Sequence, residues 1–378
     1  MPAQTVLTSG MVEKIGEAES IITHKARDKE KNETLPIANH QEGFDKILSL
    51  LTDQALGVIE NPDDIDAVGH RVVHGGEKFN APVVISEAVR KQIEDLAFLA
   101  PLHNPPNLLG IEVATEFFKN APQVAVFDTA FHQSMPASSY RYAIPEWLYK
   151  KHGIRVYGMH GTSHHYVAQQ AAEYLNQPLE TLGLITIHLG NGCSMAAIQH
   201  GKCLDTSMGL SPLPGLIMGT RSGDIDPSIY YFLGTQLQMS FEEVDNLLNK
   251  ESGLKGLTGE NDLRKVIHRM EEGDAAARLA LEMYTYRIKK YIGAYTAALG
   301  KLDAIIFTAG VGENSAYIRE KVCDALGMLG IRIDTDKNKQ PAAHIREIQQ
   351  EAGLVKILVI PTNEELDIAQ ATMQLLRD

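Results

Sequence analysis

The segment FTAGVGENSAYIREKVCDAL, Phe307–Leu326, couples an apolar strand to a glycine-bearing turn, a polar cap and then helical periodicity. Related units recur along the chain. IDAVGHRVVHGGEKF (Ile65–Phe79) runs a strand into a glycine loop. GLITIHLGNGCSMAAIQHGKCLDTS (Gly183–Ser207) reads strand, Gly-Asn-Gly loop, strand, His-Gly-Lys turn, strand. VKILVIPTNEELDIA (Val355–Ala369) reads strand, polar turn, helix. Strands alternating with helices predict an α/β protein with largely parallel sheets. At 378 residues the chain exceeds one ordinary core, so two domains are expected.

Between these units the pattern predicts a hairpin in which Gln4–Thr8 and Met11–Ile15 flank a turn at Ser9 and Gly10. Amphipathic helices are predicted from Glu42 and from Ser86, the second stopped by Pro101. APLHNPPN (Ala100–Asn107) reads as a stiff proline-rich loop, either a wall of a small apolar pocket or a plain connection. QVAVFDTAFH (Gln123–His132) reads as a buried strand ending at Asp128. The Pro- and Tyr-rich stretch from Ser134 to Pro145 marks the expected boundary. Residues 1–133 with 363–378 form one expected domain and 134–362 the other. The second half carries strand, glycine loop, strand, turn, strand, whereas the first is expected to hold only the hairpin. If the halves are duplicates, the first lacks an opening strand and glycine loop.

A formal net charge of −13 argues against nucleic acid and anionic membrane surfaces as partners. No apolar run reaches the roughly 18 residues that a membrane span needs. Three cysteines and no secretory leader pattern predict free thiols in a reducing cytoplasm.

Three glycine loops, HLGNGCS (His188–Ser194), MGTRSGD (Met218–Asp224) and AGVGENS (Ala309–Ser315), are each expected to end a strand. Glycine lets backbone N–H groups approach an anion, and a helix N-terminus adds partial positive charge. Several such loops favour phosphate binding, although no GxxxxGK(S/T) occurs and no GxGxxG opens a βαβ unit. Arg71 and Arg221 sit among glycines, where a guanidinium can hold a carboxylate or phosphate bidentately; surface ion pairing is the alternative. His160, His164 and His165 open a helix. Zinc is considered for the four-residue spacing of His160 and His164, but HExxH is absent, and packing is the preferred reading of His164 and His165. His160 is a candidate donor to developing phosphoryl charge. Asp128 at a strand end and Glu364 at a helix start are candidate carboxylates, with helix capping as the alternative for both.

GHRVVHGGEKF, APLHNPPN, VFDTAFHQSMP, YGMHGTSHHYV, HLGNGCS, LPGLIMGTRSGDIDPS, ENDLR, FTAGVGENSAYIR and VIPTNEELDIA occur in this order, and together they resemble the acetate kinase family from about Gly10 to the C-terminus. The resemblance implies two duplicated α/β domains of the type shared with sugar kinases, actin and the heat-shock ATPases, nucleotide in the cleft between them, and a homodimer. It implies transfer of a phosphoryl group between ATP and acetate, giving ADP and acetyl phosphate, with Mg²⁺ or Mn²⁺. Propionate or butyrate is the alternative acceptor. Carried over by position, Asp128, His160 and Arg221 are catalytic, Arg71 binds the acetate carboxylate and Glu364 binds the metal. Val73, Leu102 and Pro212 line the pocket for the acetate methyl. His188, Leu189, Gly190, Asn191 and Gly192 would hold nucleotide, with Asp262, Leu263, Arg264, Gly310, Val311, Gly312, Glu313 and Asn314. Met159 stands where the family usually has an aromatic residue beside that pocket. The family also opens with a strand, an Asn-x-Gly-Ser-Ser-Ser loop and a lysine that have no counterpart in this sequence. Impaired catalysis in a nucleotide-binding protein is the corresponding alternative.

Overall fold

Strand–turn–helix units do form, in a computed structural model that describes residues 4–101, 103–341 and 344–377. The chain divides into two units. The first is Met1–His74, Pro82–Val126 and Ile368–Asp378; the second is Gly75–Ala81 and Phe127–Asp367.

The first unit opens with an antiparallel meander of β1 (Thr8–Glu13), β2 (Ser20–Ala26) and β3 (Lys29–Leu35). Alternation in β2 buries Ser20, Ile22, His24 and Ala26, and Ile22 packs with Ile37 and Leu50. Leu50 lies on the helix His40–Leu51, capped by the Asn39 side chain. The expected turn at Ser9 and Gly10 does not form. Both lie inside β1, and Gly10 faces His24 across the ladder. A Cβ there would stand 2.5 Å from the Thr23 carbonyl oxygen, so this glycine serves a close strand approach. The chain reverses instead through Lys14 and Gly16, both at positive φ.

Three further strands, β4 (Val68–Val72), β5 (Val83–Val84) and β6 (Gln123–Phe127), form a sheet in the order β4-β6-β5. The first half therefore carries two three-stranded sheets among its described residues: the strands predicted within Ile65–Phe79 and Gln123–His132 form in one, and a three-stranded meander replaces the expected hairpin in the other. APLHNPPN is not simply a loop. Its Asn104 starts the helix Asn104–Phe117, whose first turn takes Pro105 and Pro106 because N–H groups there need no intrahelical acceptor. Asn104 pairs with both backbone groups of His74, and the Asn107 side chain accepts from the Val73 N–H.

The second unit is built on β7 (Gly183–Leu189), β8 (Cys193–Gln199), β9 (Lys202–Thr206), β10 (Ala304–Thr308), β11 (Arg346–Glu347) and β12 (Lys356–Val359), in the order β11-β12-β10-β7-β8-β9. Only β12, β10 and β7 run parallel; β7, β8 and β9 alternate, and β11 opposes β12. The sheet is thus mixed, because turns as short as Gly190–Gly192 and His200–Gly201 can join only antiparallel strands. The helix Gly161–Leu175 places Val167, Ala168 and Ala171 against Leu184, Ala196, Ile306 and Leu358. Tyr284, Ile288 and Ile292 of the helix Ala275–Leu299 are buried as well. Two glycine motifs differ from expectation. MGTRSGD follows no strand but lies in the irregular stretch 207–227, and AGVGEN is itself the helix Ala309–Asn314, beginning directly after β10. Among the described residues no helix is long and apolar enough to cross a membrane. All three cysteines are buried and free.

Candidate active site

In the second unit the candidate groups collect around Asp128 and the ends of β7, β10 and β12, strand ends being the customary location of sites in open α/β sheets. Asp128 directly follows β6 and is 1% exposed. Its carbonyl accepts the Gly161 N–H at 2.9 Å. A Cβ on Gly161 would lie 2.1 Å from that oxygen, so only glycine lets the helix start this close to the strand end. The next residue, Thr162, sets its hydroxyl 3.4 Å from Asp128 Oδ1 and 3.0 Å from Glu364 Oε2. Glu364 opens the helix Glu364–Leu375 after β12. Two carboxylates that follow distant strands therefore lie beside one hydroxyl, which donates to Glu364 at the shorter distance.

His160 occupies the N-cap position of the helix Gly161–Leu175 in the left-handed region, φ 57°, and its side chain makes no cap. Its neighbour Met159 is buried, and the Met159 carbonyl accepts the Nε2–H of His132 at 2.9 Å. With its proton on Nε2, His132 uses Nδ1 to accept the Cys203 S–H at 3.1 Å. Burial holds the His132 pKa down at about 4, so this ring stays neutral. His160 Nδ1 lies 2.8 Å from Ser194 Oγ, and the ring stacks on His188 with centroids 4.3 Å apart.

Gly192 brings His160 and Arg221 together. A Cβ there would be 3.4 Å from His160 Nε2 and 3.7 Å from Arg221 Nη1, so both side chains border one small space. Burial lowers the pKa of the half-buried Arg221. His188 is connected onward: Nδ1 is 2.8 Å from Ser163 Oγ, which is 2.9 Å from Thr362 Oγ1, and the Thr362 N–H donates to Glu313 Oε1. Arg319 is buried and donates to the Gly312 and Glu313 carbonyls, satisfying the end of the short helix Ala309–Asn314.

The remaining candidates are distributed as follows. Leu189 is buried and Val311 half-buried, while Asn314 folds its side chain back to the Gly310 carbonyl. Asn191 lies beside Gly219. Asp262 caps the helix Leu263–Glu271, and its pairing with the exposed Arg264 holds its pKa at about 2. Pro212 is half-buried. Arg71 lies on β4 and is exposed, and Val73 follows it and is buried; both belong to the first unit. Leu102 lies outside the described residues. Sequence reading passed over Thr162, Ser163, Ser194, His132 and Thr362. For Thr162, Ser163 and Ser194 the visible signal was a hydroxyl adjoining the predicted histidines in MHGTSHH or ending HLGNGCS.

The carboxylates of Asp128 and Glu364 suit a magnesium ion, which takes one or two carboxylates and completes its shell with water and phosphate oxygens. Among the described residues no set of three or more His, Cys, Asp or Glu side chains is gathered for a metal.

The model of the acetokinase family matches residues 1–370. The acetate kinase of Oleidesulfovibrio alaskensis is 50% identical over 382 residues, an alignment covering 100% of this chain and 95% of that relative. The acetate kinase of Halothermothrix orenii is 51% identical over 378 residues with the same coverage. Among solved structures, Porphyromonas gingivalis acetate kinase superposes with a TM-score of 0.94 at 44% identity, covering 100% of this chain and 95% of that one. A propionate kinase from Francisella tularensis gives 0.92 at 43% identity, covering 98% and 93%.

Proposed function

The chain belongs to the acetokinase family, and we propose on that premise that it transfers the γ-phosphoryl group of ATP reversibly to acetate, giving ADP and acetyl phosphate. It is a phosphotransferase with a carboxyl group as acceptor. The observation that carries the assignment of its chemistry is the approach of His160 and Arg221 to one point beside Gly192.

Acetate is ionised at neutral pH and needs no base before it attacks phosphorus. The obstacle is repulsion between a carboxylate and a polyanionic γ-phosphate, and the remedy is fixed positive or donating groups with in-line placement. Arg221 and His160 supply the donors at the transferring group, and Arg71 binds the acetate carboxylate. Asp128 has no acidic proton to take from acetate. Its part is to orient, through the group that it shares with Thr162 and Glu364. Glu364, with Asp128 beside it, would hold Mg²⁺ or Mn²⁺, which would supply neutralisation of charge on the phosphates. The Gly190–Gly192 turn, Asp262–Arg264 and the helix Ala309–Asn314 bind the nucleotide. Val73, Leu102, Met159 and Pro212 are the residues that the family resemblance assigns to recognition of the acceptor's methyl group. The protein works as a homodimer in the cytoplasm.

Similarity to a propionate kinase at nearly the same identity supports a second acceptor from the same class. One methylene is worth only about 1–3 kcal/mol to a pocket. A hydroxamate assay with ATP, Mg²⁺ and acetate, propionate or butyrate tests both readings. Higher kcat/KM on acetate supports the first, and higher kcat/KM on propionate the second. No acyl phosphate from any of the three would overturn the assignment.

A further inference from the structure

We infer that Thr186, His164 and Ser194 form a buried relay that holds His160 in the neutral tautomer with its proton on Nε2. Ser194 and His164 are then positioning residues for the phosphoryl transfer assigned above, on which this role rests.

Three short contacts define the relay. Thr186 Oγ1 is 2.7 Å from His164 Nδ1, His164 Nε2 is 2.8 Å from Ser194 Oγ, and Ser194 Oγ is 2.8 Å from His160 Nδ1. Thr186, His164 and Ser194 are fully buried. Polar atoms so placed must find partners within the protein. Proton counting makes the relay directional. Each hydroxyl has one proton to donate, and a neutral imidazole has one N–H. Burial, reinforced by the neighbouring His132 and His188, keeps His164 neutral. If Ser194 accepted from both rings, the proton of this fully buried hydroxyl would have no acceptor among these groups. The bonds therefore all point toward His160 or all point away.

Pointing away, Thr186 would accept from His164 and would need another acceptor for its own proton. The available one is the Ala196 carbonyl, at 3.4 Å, beyond the usual hydrogen-bond range. Pointing toward His160, Thr186 donates to His164 at 2.7 Å, His164 donates to Ser194, and Ser194 donates to His160 Nδ1. The His160 proton then resides on Nε2, the atom bordering the space beside Gly192 that Arg221 also borders. His188 stacks on this ring, and the Arg221 guanidinium borders the same space beside Gly192. A neutral N–H donor, fixed before substrate arrives, needs no reorganisation as charge develops on the phosphoryl oxygens.

The test is a long-range ¹H–¹⁵N correlation spectrum of ¹⁵N-histidine-labelled protein at neutral pH, with His160 assigned by the signals lost in His160→Gln. The expected spectrum shows a protonated Nε2 and an unprotonated Nδ1 at His160. Ser194→Ala is expected to shift that ring toward a tautomer mixture. It should lower kcat between about ten- and hundredfold, the usual loss when a partner orienting a functional group is removed, with little change in KM. Ser194→Thr should restore both. A His160 proton on Nδ1, or protons on both nitrogens, overturns the relay; so does Ser194→Ala with an unchanged spectrum and kcat. If Ser194→Ala does not fold, the wild-type spectrum alone decides. The spectrum needs no substrate, so a wild-type protein without acyl kinase activity would count against the assigned reaction while leaving the tautomer result readable.

Discussion

Thr162 stands 3.0 Å from Glu364, a residue 202 positions further along the chain. The same hydroxyl faces Asp128 at 3.4 Å. It thereby ties the start of one helix to the start of another by donating to Glu364, with the Asp128 carboxylate close beside the same hydroxyl. Hydrogen bonds to charged groups are typically worth about 1.5–3 kcal/mol net. Thr162→Val keeps the shape and removes the donor. Its apparent Mg²⁺ requirement should rise roughly tenfold with the fold intact. A Mg²⁺ titration of acetyl phosphate formation that matches wild type would contradict this arrangement.

Arg221 borders the space beside Gly192 and is drawn out of bulk water, which strengthens its interaction with developing charge. Arg221→Ala should lower kcat by about 10²–10³, the ~2.7–4 kcal/mol expected of a fixed transition-state donor. Its acetate KM should change far less. Steady-state kinetics returning a normal kcat with only a raised KM would reassign this arginine to ground-state binding.

Gly192 is not held at positive φ, and a methyl group there meets His160 and Arg221 at ordinary contact distances. Gly192→Ala should therefore fold and melt like wild type. The methyl group fills the space between the two donors and displaces the transferring group by about 1 Å, a shift that costs roughly a hundredfold in rate. Calorimetry and kinetics on one preparation check both halves; full activity would remove the space beside Gly192 from the site.

His74 and His132 both have pKa values lowered to about 4 by burial, and His164 is pushed well below the ordinary value by burial first and by His132 and His188 next. The unfolded chain binds protons at these histidines below about pH 6.5, while the folded chain does not. The stability they contribute is thus complete above pH 6.5 and is lost as pH falls toward 4, at roughly 3 kcal/mol each for His74 and His132. Melting temperatures measured from pH 7.5 to 4.5 should fall steeply, and His132→Gln should flatten the slope. Equal slopes for the two proteins would show that His132 is not a source of the acid sensitivity.

Much of the architecture was open to reading from local pattern. The largely apolar, fully buried runs of β6 and β10 and the turns around Gly190 and Gly201 are short-range features, and so are the caps Asn39 and Ser86. Each depends on residues within a few positions of one another, where φ/ψ preference and side-chain period act directly. Misreadings arose where one local signal serves two ends. Gly10 resembles a turn but makes room for the Thr23 carbonyl, and Pro105 and Pro106 resemble a loop but open a helix.

Residue types by themselves determined that this chain forms alternating strands and helices and carries histidine, arginine and carboxylate beside glycine turns, because those are properties of short segments. Only tertiary packing decided that Thr162 serves both Asp128 and Glu364, that Gly192 separates His160 from Arg221, and that Ser194 links two histidines. Their partners lie about 30 to 200 positions apart along the chain. No periodicity spans such intervals; what selects these pairs is that buried polar atoms must find a donor or acceptor wherever the packed sheet and helices bring one within reach.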